Sequence, residues 1–439
     1  MKTENMLKTG KIILTGKLRL LSPAMIGSGR DERTDMDLIR DSDGKPFIPA
    51  TSFVGVLRHS IKVKAEREQL ERFWGSEKKK DKPLYQSALY CDDLSISDTK
   101  PEITIRDGVA INSKTGRAKE HAKYNYELIE RDTIFNLRLE IDLIRGHELF
   151  FKQMLATIIK VLQNGELRLG AKTRSGFGKV KLEDYKVYEF DFHNKEAILK
   201  WLKGEFTEPS DFKYQAFDIA KDNLFKLDAT FSIKNSLIVR SYTASPDEPD
   251  SVHIKSRGKD ILPGTSLKGA IRARAERILN TLGKPSGIIE DLFGRVDEDR
   301  KEAKRGRLII EETVLDGYPS EVQTRIKIDR FTGGVMEGAL LETMPLFSSK
   351  DRKTFNISIT VEDCKPHEAG LMLLVLKDLW TGDLPVGGEK AIGRGVLKGI
   401  SANITYEGKR FKIQEDISKL PDKDILQGYI NSLVNYKQP

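Results

Sequence analysis

Leu262-Pro-Gly-Thr-Ser-Leu-Lys-Gly-Ala-Ile-Arg272 repeats the pattern of Ile48-Pro-Ala-Thr-Ser-Phe-Val-Gly-Val-Leu-Arg58, 214 residues further along the chain (262 − 48). A second signal follows in the same order. The glycine-rich loop Gly170-Ala-Lys-Thr-Arg-Ser-Gly-Phe-Gly178 returns as Gly387-Gly-Glu-Lys-Ala-Ile-Gly-Arg-Gly395, an offset of 217 (387 − 170). Lesser landmarks keep the spacing: Phe73-Trp-Gly75 with Leu292-Phe-Gly294, and Ala88-Leu-Tyr-Cys-Asp-Asp-Leu94 with Arg307-Leu-Ile-Ile-Glu-Glu-Thr313. A period this long means two whole domains rather than a solenoid of short repeats.

Each copy reads as strand, helix, strand, strand, helix, strand. In the first, Lys11 to Leu21 alternates as a strand, and a helix from about Phe53 to Glu71 is capped by Thr51 or Ser52. Strands follow near Leu89 and over Phe135 to Leu143, then a helix Leu149 to Leu162 and a strand Lys179 to Phe190. The second copy gives strand Leu227 to Val239, helix Ser266 to Leu282, strands near Leu308 and over Phe355 to Val361, helix His367 to Trp380 and strand Gly395 to Tyr406. That order predicts an α+β fold with two tandem ferredoxin-like, or RRM-like, domains carrying loop insertions. The expected bounds are 1–190 and 225–408, with a linker at 191–224 holding a short helix at His193 to Glu205. A C-terminal tail at 409–439 carries a helix around Asp424 to Val434.

With 439 residues, each copy can bury its own core. No apolar run is long enough to cross a bilayer, and the opening residues lack an apolar signal core, so a cytoplasmic protein without membrane contact is expected. Cys91 and Cys364 lie in opposite copies, as two reduced thiols would. A net charge of +8 favours a polyanionic partner, but 32% of the residues are charged, so the placement of the excess decides. The mixed-sign runs 77–82 and 297–305 read as solvated loops.

Placement points to the two recurring motifs. Lys172, Arg174 and Ser175 in one glycine loop, and Lys390 and Arg394 in the other, are candidate phosphate contacts where small residues allow close backbone approach. Ser52 and Ser266 stand at helix N-termini, whose free N–H groups favour an anion, and Arg58, Lys268, Arg272 and Arg274 lie within the turns that follow. Either motif alone is explained by a tight connection or a plain helix cap. Two such motifs in each of two copies suggest a track for a nucleic-acid backbone.

These residues also carry a resemblance. Ile26-Gly-Ser-Gly29, Asp35-Met-Asp-Leu-Ile-Arg-Asp41, the run Gly44 to Arg58, Gly176-Phe-Gly178, and Ile328-Asp-Arg-Phe-Thr-Gly-Gly334 resemble the RAMP superfamily of CRISPR-associated proteins. Within it, the chain is most similar to the repeated backbone subunits of type III effector complexes, fused in tandem as in some type III-D systems. The resemblance implies partners: a CRISPR guide RNA, a complementary target RNA and the other effector subunits. It also implies a loop aspartate that supports cleavage of the target RNA with a divalent metal, Mg²⁺. Asp35 takes that place as catalytic residue and metal contact, with Asp37 an alternative; in the second copy Asp250 aligns and Asp247 competes. A thumb that interrupts guide–target pairing is implied near Arg117 in one copy and Arg330 and Met336 in the other.

Two other readings stand beside this RNA-guided endoribonuclease. One is a non-catalytic RNA-binding scaffold. The other is a guide-processing endoribonuclease, which needs a catalytic histidine; His59 and His253 alone lie near candidate sites and read as surface residues. The six histidines form no zinc spacing with the cysteines.

Overall fold

Strand Lys8–Leu20 runs antiparallel to Ile134–Ile144 on one side and to Val180–Asp191 on the other. Leu89–Cys91 pairs with the far edge of Ile134–Ile144, so the four strands lie in the order 89–91, 134–144, 8–20, 180–191. With one helix after the first strand and another after the third, this is the ferredoxin-like arrangement. Alternation along Lys8–Leu20 explains its burial. Ile12, Leu14, Leu18 and Leu20 point to a core shared with Phe53, Leu57, Phe151 and Ile158, whereas Ile13 points the other way. That opposite face is covered too: Ile13, Tyr188 and Phe190 pack under Phe192, Trp201 and Phe206.

The computed structural model describes residues 7–29, 34–76, 84–97, 101–112, 115–219, 223–242, 247–297, 302–349, 351, 353–416 and 422–437. The charged run 77–82, part of the run 297–305, and Ser113 and Ser245 lie outside the described residues. Internal contacts divide the chain into two units. Residues 1–108, 124–173 and 177–220 form the first, and residues 109–123, 174–176 and 221–439 the second.

Helices α1 (Ala50–Ser60), α2 (Arg67–Trp74), α3 (Glu148–Gln163) and α4 (Lys195–Lys203) belong to the first half of the chain. The expected single helix from Phe53 to Glu71 is two helices. Ile61 turns to extended backbone (φ −95°, ψ 90°) and is buried, ending α1, and α2 starts afresh at Arg67. Thr51 and Ser52 do not cap α1: the helix begins earlier, after Pro49, and makes no side-chain cap bond there. Instead the Asp93 carboxylate accepts the Ala50 N–H at 2.7 Å, placing a negative charge at the positive end of the helix. In α4 the Asn194 side chain accepts the Glu196 and Ala197 N–H groups.

The second unit repeats the plan, with strands in the order 308–310, 355–361, 225–233, 397–406, 409–414. Its helices are α5 (Gly264–Thr281), α6 (Gly287–Phe293), α7 (Pro366–Thr381) and α8 (Lys423–Val434). Strand Phe355–Val361 alternates buried and open positions, burying Phe355, Ile357, Ile359 and Val361 on one face. The segment read from the sequence as a tail supplies the fifth strand, Lys409–Gln414, and α8. Leu426, Tyr429 and Leu433 of α8 are buried in the second unit's core, each side chain contributing about 1.5–3 kcal/mol by removal from water.

Each copy inserts a projection between its second and third sheet strands. In the first it is the hairpin Ile103–Ile111 with Ala118–Ile129. In the second it includes Gln323–Arg325 paired with Leu341–Met344 and a tight turn closed by the bridge of Ile328 with Val335. Asp329 holds that turn by accepting the N–H groups of Phe331 (2.8 Å) and Thr332 (2.9 Å), bonds that also lower its carboxyl pKa.

Candidate nucleic-acid interface

Asp35 lies on an exposed bend just before the short strand Asp37–Leu38. Its main-chain N–H donates to Asn125 Oδ1 at 3.1 Å, and its own Oδ2 accepts the Asn125 N–H at 3.0 Å. The loop is fixed further by Glu127, which accepts the Leu38 N–H and grips the Arg40 guanidinium with both carboxylate oxygens at 3.0 Å. Asp37, the alternative acid, is buried and receives the Thr34 hydroxyl, so its carboxylate is part of the loop's own framework.

Asp250 stands in the same relation to the second copy. It is exposed, it precedes the strand Ser251–His253, and its Oδ2 accepts the Glu342 N–H at 2.8 Å. Residues 125 and 342 are 217 apart (342 − 125), the glycine-loop offset, so both aspartates hang from equivalent points on the returning strand of the projection. Asp250 thus holds to its projection by the same carboxylate-to-main-chain bond that Asp35 makes in the first copy.

The glycine loops dock identically in the two copies. Ala171 and Gly178 donate their N–H groups to the carbonyls of Met25 and Pro23, and Gly388 and Gly395 donate theirs to Ile238 and Ser236. Gly178 (φ +74°) and Gly395 (φ +80°) admit no side chain: a Cβ would stand 1.8 Å from the Leu169 carbonyl oxygen and 1.9 Å from that of Val386. These glycines bring the chain close to itself, a demand that holds whether or not a ligand is bound.

The candidate basic residues divide by burial. Ser52, Arg58, Arg117, Arg272, Arg330 and Lys390 are exposed, with Arg272 also paired to Glu276 along α5. Ser175 and Ser266 are half-buried. Arg394 is a correction. It is 2% exposed, and its guanidinium is held by Glu389 (3.1 Å) and the Gln323 side chain (2.5 Å), so it braces the loop from inside. Lys268 is turned inward onto the carbonyls of Arg174 and Leu308, and burial pulls its pKa down to about 8. Arg174 is engaged by Glu362 at 2.5 Å.

Lys172 and its counterpart Glu389 share a left-handed backbone (φ 53° and 54°) but opposite charge. Lys172 lies 3.6 Å from the Tyr126 ring centroid and 4.2 Å from that of Tyr124, and donates to the Tyr124 hydroxyl at 3.1 Å. Burial pulls its pKa down to about 8. Glu389 instead gathers Arg240 (2.8 Å), Arg325 (3.0 Å) and Arg394 (3.1 Å).

The family model of the RAMP superfamily matches residues 17–181 and again residues 230–398. The chain belongs to the RAMP superfamily. The double match coincides with the two ferredoxin-like sheets, so this is a tandem two-domain RAMP protein. A search of curated proteins gives no match. No helix among the described residues is long and apolar enough to cross a membrane.

In this RAMP protein His253 is a core residue, contrary to the surface position expected. Its Nδ1 accepts the Val239 N–H at 3.2 Å and its Nε2 donates to the Ile261 carbonyl at 2.8 Å, which fixes a neutral tautomer. Burial holds its pKa down at about 4. The folded pKa is thus below the ordinary 6.5, so between those values the unfolded chain binds a proton that the folded chain refuses. His253 stabilisation is complete above pH 6.5 and is lost as pH falls towards 4, by about 2 kcal/mol at pH 5. Denaturant midpoints at pH 7 and pH 5 should differ less in His253→Gln than in the native protein; an equal difference would contradict the assignment.

Among the described residues no three His, Cys, Asp or Glu side chains come together to hold a metal ion. The residues fit Mg²⁺ only in its sparse mode, one carboxylate with the remaining oxygens from water and RNA phosphate, and Asp35 is the exposed carboxylate that would supply the contact. Sequence reading missed Asn125, Glu127 and Arg40 around Asp35, and Tyr124 and Tyr126 around Lys172. The signal that found the other motifs is missing here: Tyr124-Asn125-Tyr126 faces Leu341-Glu342-Thr343 in the second copy.

Proposed function

We propose that this RAMP protein is a backbone subunit of a cytoplasmic type III CRISPR effector. In this reading each domain holds a segment of guide RNA, and Asp35 and Asp250 support cutting of the complementary target RNA. The observation that carries the reading is the equivalence of the two aspartates, each exposed and each hung by one carboxylate oxygen from the returning strand of its projection. A carboxylate so held would accept the proton of a target 2′-hydroxyl as that oxygen attacks the adjacent phosphorus. The bond to the 5′-oxygen breaks, water protonates the leaving oxygen, and the products are a 2′,3′-cyclic phosphate and a 5′-hydroxyl end. Positioned proton transfer of this kind contributes about 10²–10⁴-fold. Mg²⁺, when bound, would neutralise charge on the attacked phosphate.

In-line attack needs a distorted strand. Phe331, 99% exposed at the apex of the second projection, supports such a role as an apolar ring on which a base can stack, with Ile328, Val335 and Met336 beside it in the turn. The scaffold reading differs in one result: in the assembled complex the double variant Asp35→Ala with Asp250→Ala should bind guide and target normally and leave the target uncut at these two positions. Undiminished cutting would favour the scaffold.

Guide retention gives a separate prediction. Neutralising the exposed Arg58 and Lys390 together should flatten the slope of log K against log salt by about 0.7 per lost phosphate contact. An unchanged slope over a salt series would remove these two residues from the RNA track.

A further inference from the structure

Resting on the assignment of Asp35 above, we infer that Asn125 is the positioning residue for that aspartate and that it makes the two cutting sites unequal. Asn125 clasps Asp35 in both directions, its side-chain oxygen taking the Asp35 main-chain N–H and its main-chain N–H going to the Asp35 carboxylate. The first bond sets the path of the loop and the second sets the carboxylate, so one residue fixes both the base and the tip of the side chain. The strand that carries Asn125 is itself tied down. Tyr124 precedes it and points to the opposite face, where Lys172 donates to its hydroxyl.

The second copy keeps half of this clasp. Glu342 supplies its main-chain N–H to Asp250, but its side chain accepts the Thr324 hydroxyl at 3.1 Å. Glutamate also brings a negative charge to a place where an anionic strand has to approach, whereas asparagine is neutral. The Asp35 site is therefore the preorganised one and the Asp250 site the looser one.

The test uses the complete effector complex with guide and a target RNA whose two cuts are resolved by length. Asn125→Ala should lower kcat of the Asp35-dependent cut by about ten- to a hundred-fold. KM for target, guide retention and the Asp250-dependent cut should be unchanged. Glu342→Asn should speed the Asp250-dependent cut. The inference is overturned if Asn125→Ala leaves the first cut at full rate, slows both cuts equally, or acts through a raised KM. Asp35→Ala runs in parallel: if the first cut persists in that variant, the catalytic reading itself fails and the inference falls with it.

Discussion

If the proposed function holds, replacing Asp35 with alanine should abolish the target cut assigned to that residue and spare the one assigned to Asp250. The expected loss at that position is about 10²–10⁴-fold, the usual worth of a positioned proton acceptor. The fold should hardly notice. Asp35 is exposed, and truncation forfeits the bond from the Asn125 N–H to its carboxylate while its main-chain N–H keeps Asn125 Oδ1, a cost near 1 kcal/mol. A surviving cut at the position assigned to Asp250 would report within the same molecule that guide loading and target pairing are intact. Resolving the products of a labelled target on a sequencing gel checks this, and two undiminished cuts would remove Asp35 from the chemistry. The mirror variant, Asp250→Ala, should delete the other cut alone.

Glu389→Ala is expected to destabilise the second unit by about 3–5 kcal/mol, the usual result of stripping the partner from a buried charge. Glu389 is 5% exposed in its side chain and Arg394 is 2% exposed, so the guanidinium left behind has no water to turn to. Arg240 and Arg325, each about one-third exposed, lose the same partner but can be solvated. At the equivalent position in the first copy, Lys172→Ala forfeits mainly contacts with two tyrosine rings and one hydroxyl, worth about 1–2 kcal/mol. Urea unfolding of the full chain should therefore show a much larger midpoint shift for Glu389→Ala than for Lys172→Ala. Equal shifts would mean that the arginine cluster is not held by its carboxylate.

The duplication, the succession of strands and helices within each copy and most helices were legible because they rest on local signals. Phe355 to Val361 alternates strictly, and the recurring Pro-x-Thr-Ser and glycine runs demand the same backbone in each copy. The split between α1 and α2 was not legible, since Ile61 and Val63 continue a helical spacing and only the core into which Ile61 turns ends the helix. The sequence also shows that Lys268 and Arg394 carry charge but not where that charge points. Both face inward, because carbonyls and a carboxylate from distant parts of the chain collect around them. Asn125 left no trace in the repeat for a different reason: its counterpart is Glu342, and a difference between copies cannot be found by looking for what recurs. The likeness of Asp250 to Asp35 likewise shows only through the bond from Glu342, a residue 92 positions away.

The most direct measurement is to purify the protein with its native neighbouring subunits and sequence the RNA that accompanies it. Short RNAs of defined length that share a repeat-derived end and differ in the remainder, as guides would, are expected. A preparation free of RNA, or one carrying a random sample of cellular transcripts, would contradict the guide-bound reading.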